Sequence, residues 1–293
     1  MSEQPQSFEA GWFKDIPNEV YHRSNGTSSS QIKKMIEKTG AHLQHDRKHP
    51  KPPTPAMALG TAVHSLVLEP DMFDKDIVVA PEFNKRTADG KADFALFQEE
   101  NKDRTIISPE QNLKAQAMAA RVHEHPIASI LVQDLIVESS VFQWYKSYDP
   151  DDQTEYKTML KVRPDGISKN MPILIDLKTT ADGSYSGFIK SIQNFYYHLS
   201  AAMYLELCNQ CNPLLDEVKH FAFTKFVFVC VENFAPYEVS VYEMSQEYRE
   251  IGALLFRKGI YNLHKSKLNN WDGYPEEVRV IEPPAWATRG FIV

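Results

Sequence analysis

The chain is poor in cysteine, has no long apolar run and carries no excess of positive charge. Its three cysteines, Cys208, Cys211 and Cys230, cannot form a closed set of disulfides, which excludes a disulfide-stapled secreted scaffold. No run of about eighteen apolar residues occurs, so a membrane-spanning helix is excluded. The N-terminus has neither a basic n-region nor an apolar h-region, and a reducing cytoplasm with no membrane contact is the expected setting. The formal net charge of −7 has the wrong sign for a protein that coats nucleic acid by bulk electrostatics, so any contact with phosphate must be local.

What is present is an ordinary globular composition: 293 residues, 42% hydrophobic, 24% charged and 11% aromatic, enough to bury a large core. No internal repeat or convincing linker divides the chain. It is expected to form one domain over residues 1–293, with an N-terminal segment to residue 55, a core over 56–264 and an extended tail over 265–293. One basic stretch stands out: between Gln31 and Lys51, Lys33, Lys34, Lys38, Arg47, Lys48 and Lys51 face only Glu37 and Asp46. It is either a local phosphate-binding patch or a solvated helix face. Cys208-Asn-Gln-Cys211 has the spacing of zinc and iron–sulfur ligands, but nothing marks a fourth donor beside Cys230. The pair reads as a helix end stopped by Asn212-Pro213, and no iron–sulfur cluster is expected.

Periodicity predicts helices after the Thr27–Ser30 cap cluster, over Ala56–Leu68, Gln111–His125 and Tyr248–His264, and a single long helix over Gly187–Cys208 with Phe188, Ile192, Phe195, Leu199, Met203 and Leu207 on one face. Residues 71–104 read as long loops with short helical pieces, and the proline-rich segment from Trp271 as an extended packed tail. Strands are expected over Val137–Tyr145, Thr158–Ile167 and Ile173–Thr179, forming a meander, and again over Lys219–Val231 and Tyr237–Tyr242. The order implies an α/β fold, a central mixed sheet flanked by helices.

The chemistry lies in that meander. Residues i and i+2 of a strand share a face, so Asp176 and Lys178 point the same way while their apolar neighbours point the other. A charge inside a buried strand costs several kcal/mol, about as much as a strong compensating partner must return, and a metal ion is the natural compensation. Asp165, in Arg163-Pro164-Asp165-Gly166, would be brought opposite Asp176 by an antiparallel return through Lys169–Pro172. Converging carboxylates suit Mg²⁺, with Mn²⁺ as a substitute; Mg²⁺ keeps waters and takes further ligands from substrate phosphate. Lys178 can then orient or deprotonate the attacking water, or stabilise the transition state.

A Pro-Asp-Gly ending one strand and an Asp-x-Lys inside the next resembles the PD-(D/E)xK nucleases. Over nearly the whole chain, in order, Tyr21-His22 with Ser28–Ser30, Gly60–Pro70, Arg86-Thr87 with Gly90-Lys91, Glu138 with Val141-Phe142, Lys161–Gly166, Ile175–Thr180, Tyr197-His198 with Ala201–Leu205, and Trp271 to Trp286 resemble the RecE (exodeoxyribonuclease VIII) family of phage and prophage exonucleases, of the RecB-type group. The resemblance implies metal binding by His64, Asp165, Asp176 and the carbonyl of Leu177, with Lys178 as base or stabiliser. It marks Glu138 as a possible active-site acid, against a solvent-facing strand residue. It further implies a 5′→3′ exonuclease on linear double-stranded DNA in a recombination pathway, a RecT-type single-strand annealing protein as partner, and a homo-oligomer, a tetrameric ring in its usual form. The family's Gln-x-x-x-Tyr becomes Ser200 to Tyr204 here; either Gln193 or a water substitutes for the glutamine, or DNA contact at this point is weaker. Ser28, Ser30, Lys33, Arg86 and Tyr204 are the candidate DNA contacts, the serines and Lys33 as a pocket for a terminal 5′-phosphate. An endonuclease on the same fold and a non-catalytic DNA-binding scaffold are the alternatives.

Overall fold

The computed structural model describes residues 6–84, 86–212, 216–220 and 222–284. From the N-terminus, strand β1 (Gly11–Phe13) and helix α1 (Asn18–Arg23) lead to Ser28, which opens α2 (Ser29–Glu37) by giving its backbone N–H to the Gln31 side chain at 3.1 Å. After α3 (Gly40–Lys48), Thr54 opens α4 (Pro55–Leu68): its hydroxyl accepts from the Met57 N–H at 3.2 Å, and Pro55 sits where no N–H is needed.

Residues 70–107 are not mainly loop. They form a 3₁₀ turn (Pro70–Met72), α5 (Phe73–Asp76), β2 (Ile77–Val79), the 13-residue α6 (Ala88–Glu100) and β3 (Thr105–Ile107), with β2 and β3 pairing in parallel. Helix α6 has no apolar stripe to read, because Gly90 is its one buried residue; the Thr87 hydroxyl caps it at Gly90 N, and Phe94 and Phe97 gather round Phe83. Next come α7 (Pro109–Glu124), α8 (Ala128–Leu131), β4 (Leu135–Ile136), β5 (Ser140–Tyr148), β6 (Glu155–Val162), β7 (Gly166–Ser168) and β8 (Ile173–Thr180). The chain ends with α9 (Tyr185–Asn194), α10 (Tyr197–Gln210), β9 (Lys225–Glu232), β10 (Val239–Glu243) and α11 (Gln246–Leu268).

The expected meander is divided between two sheets. β5 and β6 pair antiparallel and, with β1, make a three-stranded sheet; β7 and β8 belong to a five-stranded mixed sheet ordered β10-β9-β8-β7-β4. The chain crosses from one to the other at Arg163-Pro164-Asp165, where Pro164 has no N–H to give to a ladder. The long helix expected over 187–208 is two, α9 and α10, separated where Tyr196 takes the left-handed conformation (φ 50°, ψ 45°). Phe195, expected on the buried face, is consequently 57% exposed. The strand expected from Lys219 begins only at Lys225, and the last helix runs on to Leu268.

Central strands β8 and β9 are buried on both faces. Ile173, Ile175 and Leu177 with Val227, Val229 and Val231 face a core closed by α4 and α7; Leu174 with Phe226, Phe228 and Cys230 faces the core under α10 and α11. Each large side chain buried in this way contributes roughly 1.5–3 kcal/mol. Helices α10 and α11 touch backbone to backbone: a Cβ on Gly252 would lie 2.0 Å from the His198 carbonyl oxygen. The cysteines are free, Cys208 and Cys230 inside this second core and Cys211 at the end of α10.

The N-terminal segment is fastened to β6 by two cations. Buried Lys161 donates to the carbonyls of Tyr21 (2.6 Å) and Ser24 (2.9 Å), and Arg163 donates to the Ile16 carbonyl (2.8 Å) and the Ser140 hydroxyl (2.8 Å) while its guanidinium lies over the Tyr21 ring. The tail packs less than expected: Trp271 sits against the core, but Val278, Val280 and Ile281 are almost fully exposed, and Trp286 lies outside the described residues. Among the described residues no helix is long and apolar enough to cross a membrane.

Candidate active site

The site exists because β7 is short. It pairs with β8 only at Gly166↔Ile175 and Ile167↔Leu174, so the edge of β8 beyond Ile175 has no strand partner on that side. Unpaired backbone groups must find partners elsewhere. Asp165, one residue before β7, accepts the Leu177 N–H on its carboxylate Oδ2 at 2.9 Å, and the Leu177 carbonyl accepts from His64 Nε2 at 2.6 Å. Helix α4 delivers His64, whose Nδ1 lies 3.7 Å from Asp165 Oδ2. Asp176 and Lys178 leave the neighbouring face of β8 and form an ion pair with each other. Thus His64, Asp165, Asp176, Leu177 and Lys178, from three separate stretches of sequence, meet at one bare strand edge. His64, Leu177 and Lys178 of this set line a cleft of about 540 Å³ whose walls include Met57, Phe195 and Tyr197.

Burial pushes the Asp176 carboxyl above the usual carboxylate range; Lys178 opposes this and Asp165 adds to it. For Lys178, burial alone would favour loss of the proton, but Asp176 and Asp165 outweigh it and hold the group as an ammonium, well above the ordinary lysine value. An ammonium held in this way by two carboxylates is suited to stabilising negative charge that develops beside it. Asp176 Oδ2, though in contact with Lys178, has no well-aligned hydrogen bond and is buried. Together with Asp165, the Leu177 carbonyl and His64 it offers hard oxygen donors and one imidazole, a set that fits Mg²⁺ or Mn²⁺. Among the described residues no three His, Cys, Asp or Glu side chains are gathered closely enough to hold a metal ion by themselves.

The other candidates are less closely gathered. Glu138 does not open β5; it precedes the strand in a left-handed conformation (φ 51°) and pairs with Arg163, serving the attachment of the N-terminal segment. Ser28 Oγ and Ser30 Oγ are 2.9 Å apart, and the Ser28 N–H is already used by Gln31. Arg86 sits in the exposed turn before α6, its N–H on Asn84 Oδ1. Tyr204 is half-buried against the core under α10, and its hydroxyl is pushed up in pKa by burial and then by Asp176 and Asp165. The Gln193 amide donates to the Tyr248 hydroxyl at 3.2 Å. Lys33, by contrast, lies beside the site: burial and then Lys178 lower its pKa to about 8.

Tyr197 was not singled out as a functional residue from sequence. Its ring carries two ammonium groups, Lys33 Nζ at 5.4 Å and Lys178 Nζ at 5.5 Å from the centroid. The available signal was its place in Tyr197-His198, but a continuous helix through residue 196 would have turned it elsewhere.

Residues 28–279 match a family described as a PDDEXK-like domain of unknown function (DUF3799). Among solved structures, that of a candidate exonuclease from Eubacterium rectale is similar in fold, with a TM-score of 0.58 and 13% sequence identity over 94% of this chain and 98% of that one. The structure of SSO0001 overlaps 80% of this chain and 84% of its own at 14% identity, but its TM-score of 0.30 carries no argument. No curated protein matches the chain.

Proposed function

The chain belongs to the PDDEXK-like family DUF3799, and from that premise we propose that it is a Mg²⁺-dependent exonuclease that degrades linear double-stranded DNA from its 5′ ends. The observation that carries the nuclease reading is the convergence of His64, Asp165, Asp176 and Lys178 on the bare edge of β8. Exonuclease action in particular is favoured by the fold likeness to the Eubacterium rectale protein, described as a candidate exonuclease, and by the resemblance to the RecE family.

Asp165, Asp176, the Leu177 carbonyl and His64 would hold the ion. Mg²⁺ bound there would supply Lewis acidity toward a phosphate oxygen and a water of lowered pKa. The chain's own contribution is electrostatic and positional. The Lys178 ammonium, fixed by Asp176, neutralises charge that develops on the phosphoryl oxygens during in-line displacement. Asp165 is itself oriented by the Leu177 N–H, so its free oxygen is aimed before substrate arrives. The remaining proposals rest on the RecE resemblance: a 3′ single-stranded tail made for recombination by strand annealing, a RecT-type partner, a homo-oligomeric, tetrameric ring, and a cytoplasmic setting. The 5′-phosphate pocket at Ser28, Ser30 and Lys33 belongs with them, as do the Arg86 and Tyr204 contacts.

The test is nucleotide release, with Mg²⁺, from linear duplexes labelled at one 5′ end, with and without 5′-phosphate, beside covalently closed circles and a Lys178→Ala control. Early release of the 5′ label from linear DNA, intact circles and a silent control are expected. Nicked or linearised circles would replace the exonuclease by an endonuclease, and an active control would dismiss the site.

A further inference from the structure

Resting on the nuclease reading above, we infer that Tyr197 is a positioning residue that holds two lysines, Lys178 and Lys33, at the reacting phosphate through one aromatic face system. Both ammonium groups stand within 6 Å of its ring centroid, at 5.5 and 5.4 Å, the range in which a ring quadrupole attracts a cation. Such an arrangement is selective in what it favours. The two like charges repel each other; Asp176 forms its ion pair with Lys178 and also favours the Lys33 ammonium from farther off, and the ring is a second group that both lysines meet.

The ring is also rigidly mounted. It stacks on Phe195 (5.6 Å between centroids) and leans on Phe188 (6.0 Å) and Phe228 (5.9 Å), which fixes its plane against the central sheet. The chain enters it through Tyr196, a non-glycine residue in the left-handed region, a conformation that costs of order 1 kcal/mol or more and persists where surrounding structure enforces it. That turn ends α9 and starts α10 with Tyr197 as its first residue, placing the ring in the wall of the cleft that also holds His64 and Lys178. Lys178 lines the cleft from β8 and would meet the scissile phosphate, while Lys33, on α2, stands on the Tyr197 ring that forms the cleft wall, where it suits the adjoining phosphate of a DNA strand. Tyr197 therefore sets the spacing between a lysine that acts on rate and one that acts on binding.

Two measurements test this. In the first, the wild type and variants carry ¹³Cε-labelled lysine, and the ε-methylene resonances of Lys33 and Lys178 are assigned with Lys33→Arg and Lys178→Arg. Ring-current shifts away from the bulk lysine signal are expected, kept in Tyr197→Phe and lost in Tyr197→Leu. In the second, initial rates on linear duplex with Mg²⁺ are expected to show Tyr197→Phe within about threefold of wild type, and Tyr197→Leu with kcat down about tenfold and KM raised. Lys33→Met should raise KM and leave little further KM effect for Tyr197→Leu to add. Unshifted lysine resonances in the wild type, or a Phe variant as impaired as the Leu variant, would overturn the inference. A wild type with shifted resonances but no DNA cleavage would instead overturn the nuclease reading and leave the ring's hold on the lysines standing.

Discussion

Replacing Lys178 by methionine should cost stability as well as activity, and the stability loss is the more discriminating readout. The Asp176 side chain is 11% exposed and that of Lys178 25%, so the substitution strips the counter-charge from a carboxylate that also lies near Asp165. Breaking a fully buried pair costs about 3–5 kcal/mol; the partial exposure of Lys178 allows some relief, and about 2–3 kcal/mol is expected. Asp176→Asn leaves an ammonium that keeps the Tyr197 ring and some solvent, for a smaller loss of about 1–2 kcal/mol. The double variant Asp176→Asn, Lys178→Met has no stranded charge and should recover to within about 1 kcal/mol of the wild type, a coupling of about 2 kcal/mol or more. Urea unfolding followed by tryptophan fluorescence, with slopes compared, measures all four proteins; every variant should be inactive, so activity cannot separate them. Single variants as stable as the wild type, or losses that simply add, would show that the two groups are not a coupled pair in the folded protein.

Lys161→Met should lower stability by about 1–2 kcal/mol and expose residues 6–26 to protease, because carbonyls on α1 and beyond lose their donor; unchanged digestion would refute the fastening role. Burial, with Arg47 and Arg163 nearby, lowers the Lys161 pKa to about 8. The unfolded chain therefore keeps a proton that the folded one loses above that pH, so wild-type stability should rise relative to Lys161→Met from about pH 8 to the ordinary lysine range; a gap independent of pH counts against it. Millimolar Mg²⁺ or Mn²⁺ should raise the thermal midpoint of the wild type but not of Asp165→Asn, and EDTA should stop nucleotide release; equal shifts in both proteins would remove Asp165 from the metal site. Gly252→Ala should destabilise by about 3 kcal/mol or more, since its methyl would meet the His198 carbonyl at 2.0 Å, and a neutral result would mean that α10 and α11 part easily.

The gathering of Asp165, Asp176 and Lys178 was legible because it depends on short-range rules. Alternation along a strand puts Asp176 beside Lys178, and a tight return puts Asp165 near both, whatever sheet they occupy. His64 needed a resemblance, since nothing local distinguishes it from a histidine in a core helix. The parts that were not legible depend on long-range or unusual backbone geometry. Pro164 sends β6 and β7 into different sheets, but a proline can equally end a strand within one sheet. The break between α9 and α10 rests on Tyr196 adopting a conformation that sequence usually reserves for glycine or asparagine, and with it went the placement of Phe195 and Tyr197. Helix α6 was missed because it buries almost nothing, leaving no stripe for periodicity to reveal.

The crossing at Arg163-Pro164-Asp165 has a practical consequence for deletion mapping. Arg163 grips the Ile16 carbonyl, and two residues later Asp165 aims at Leu177, with a proline between them that leaves little slack. Trimming the chain up to residue 16 would release one end of this lever and let the other drift, although none of residues 6–16 lines the cleft. A truncation series scored on DNA digestion alone would then assign catalysis to a segment whose task is to brace a carboxylate from behind.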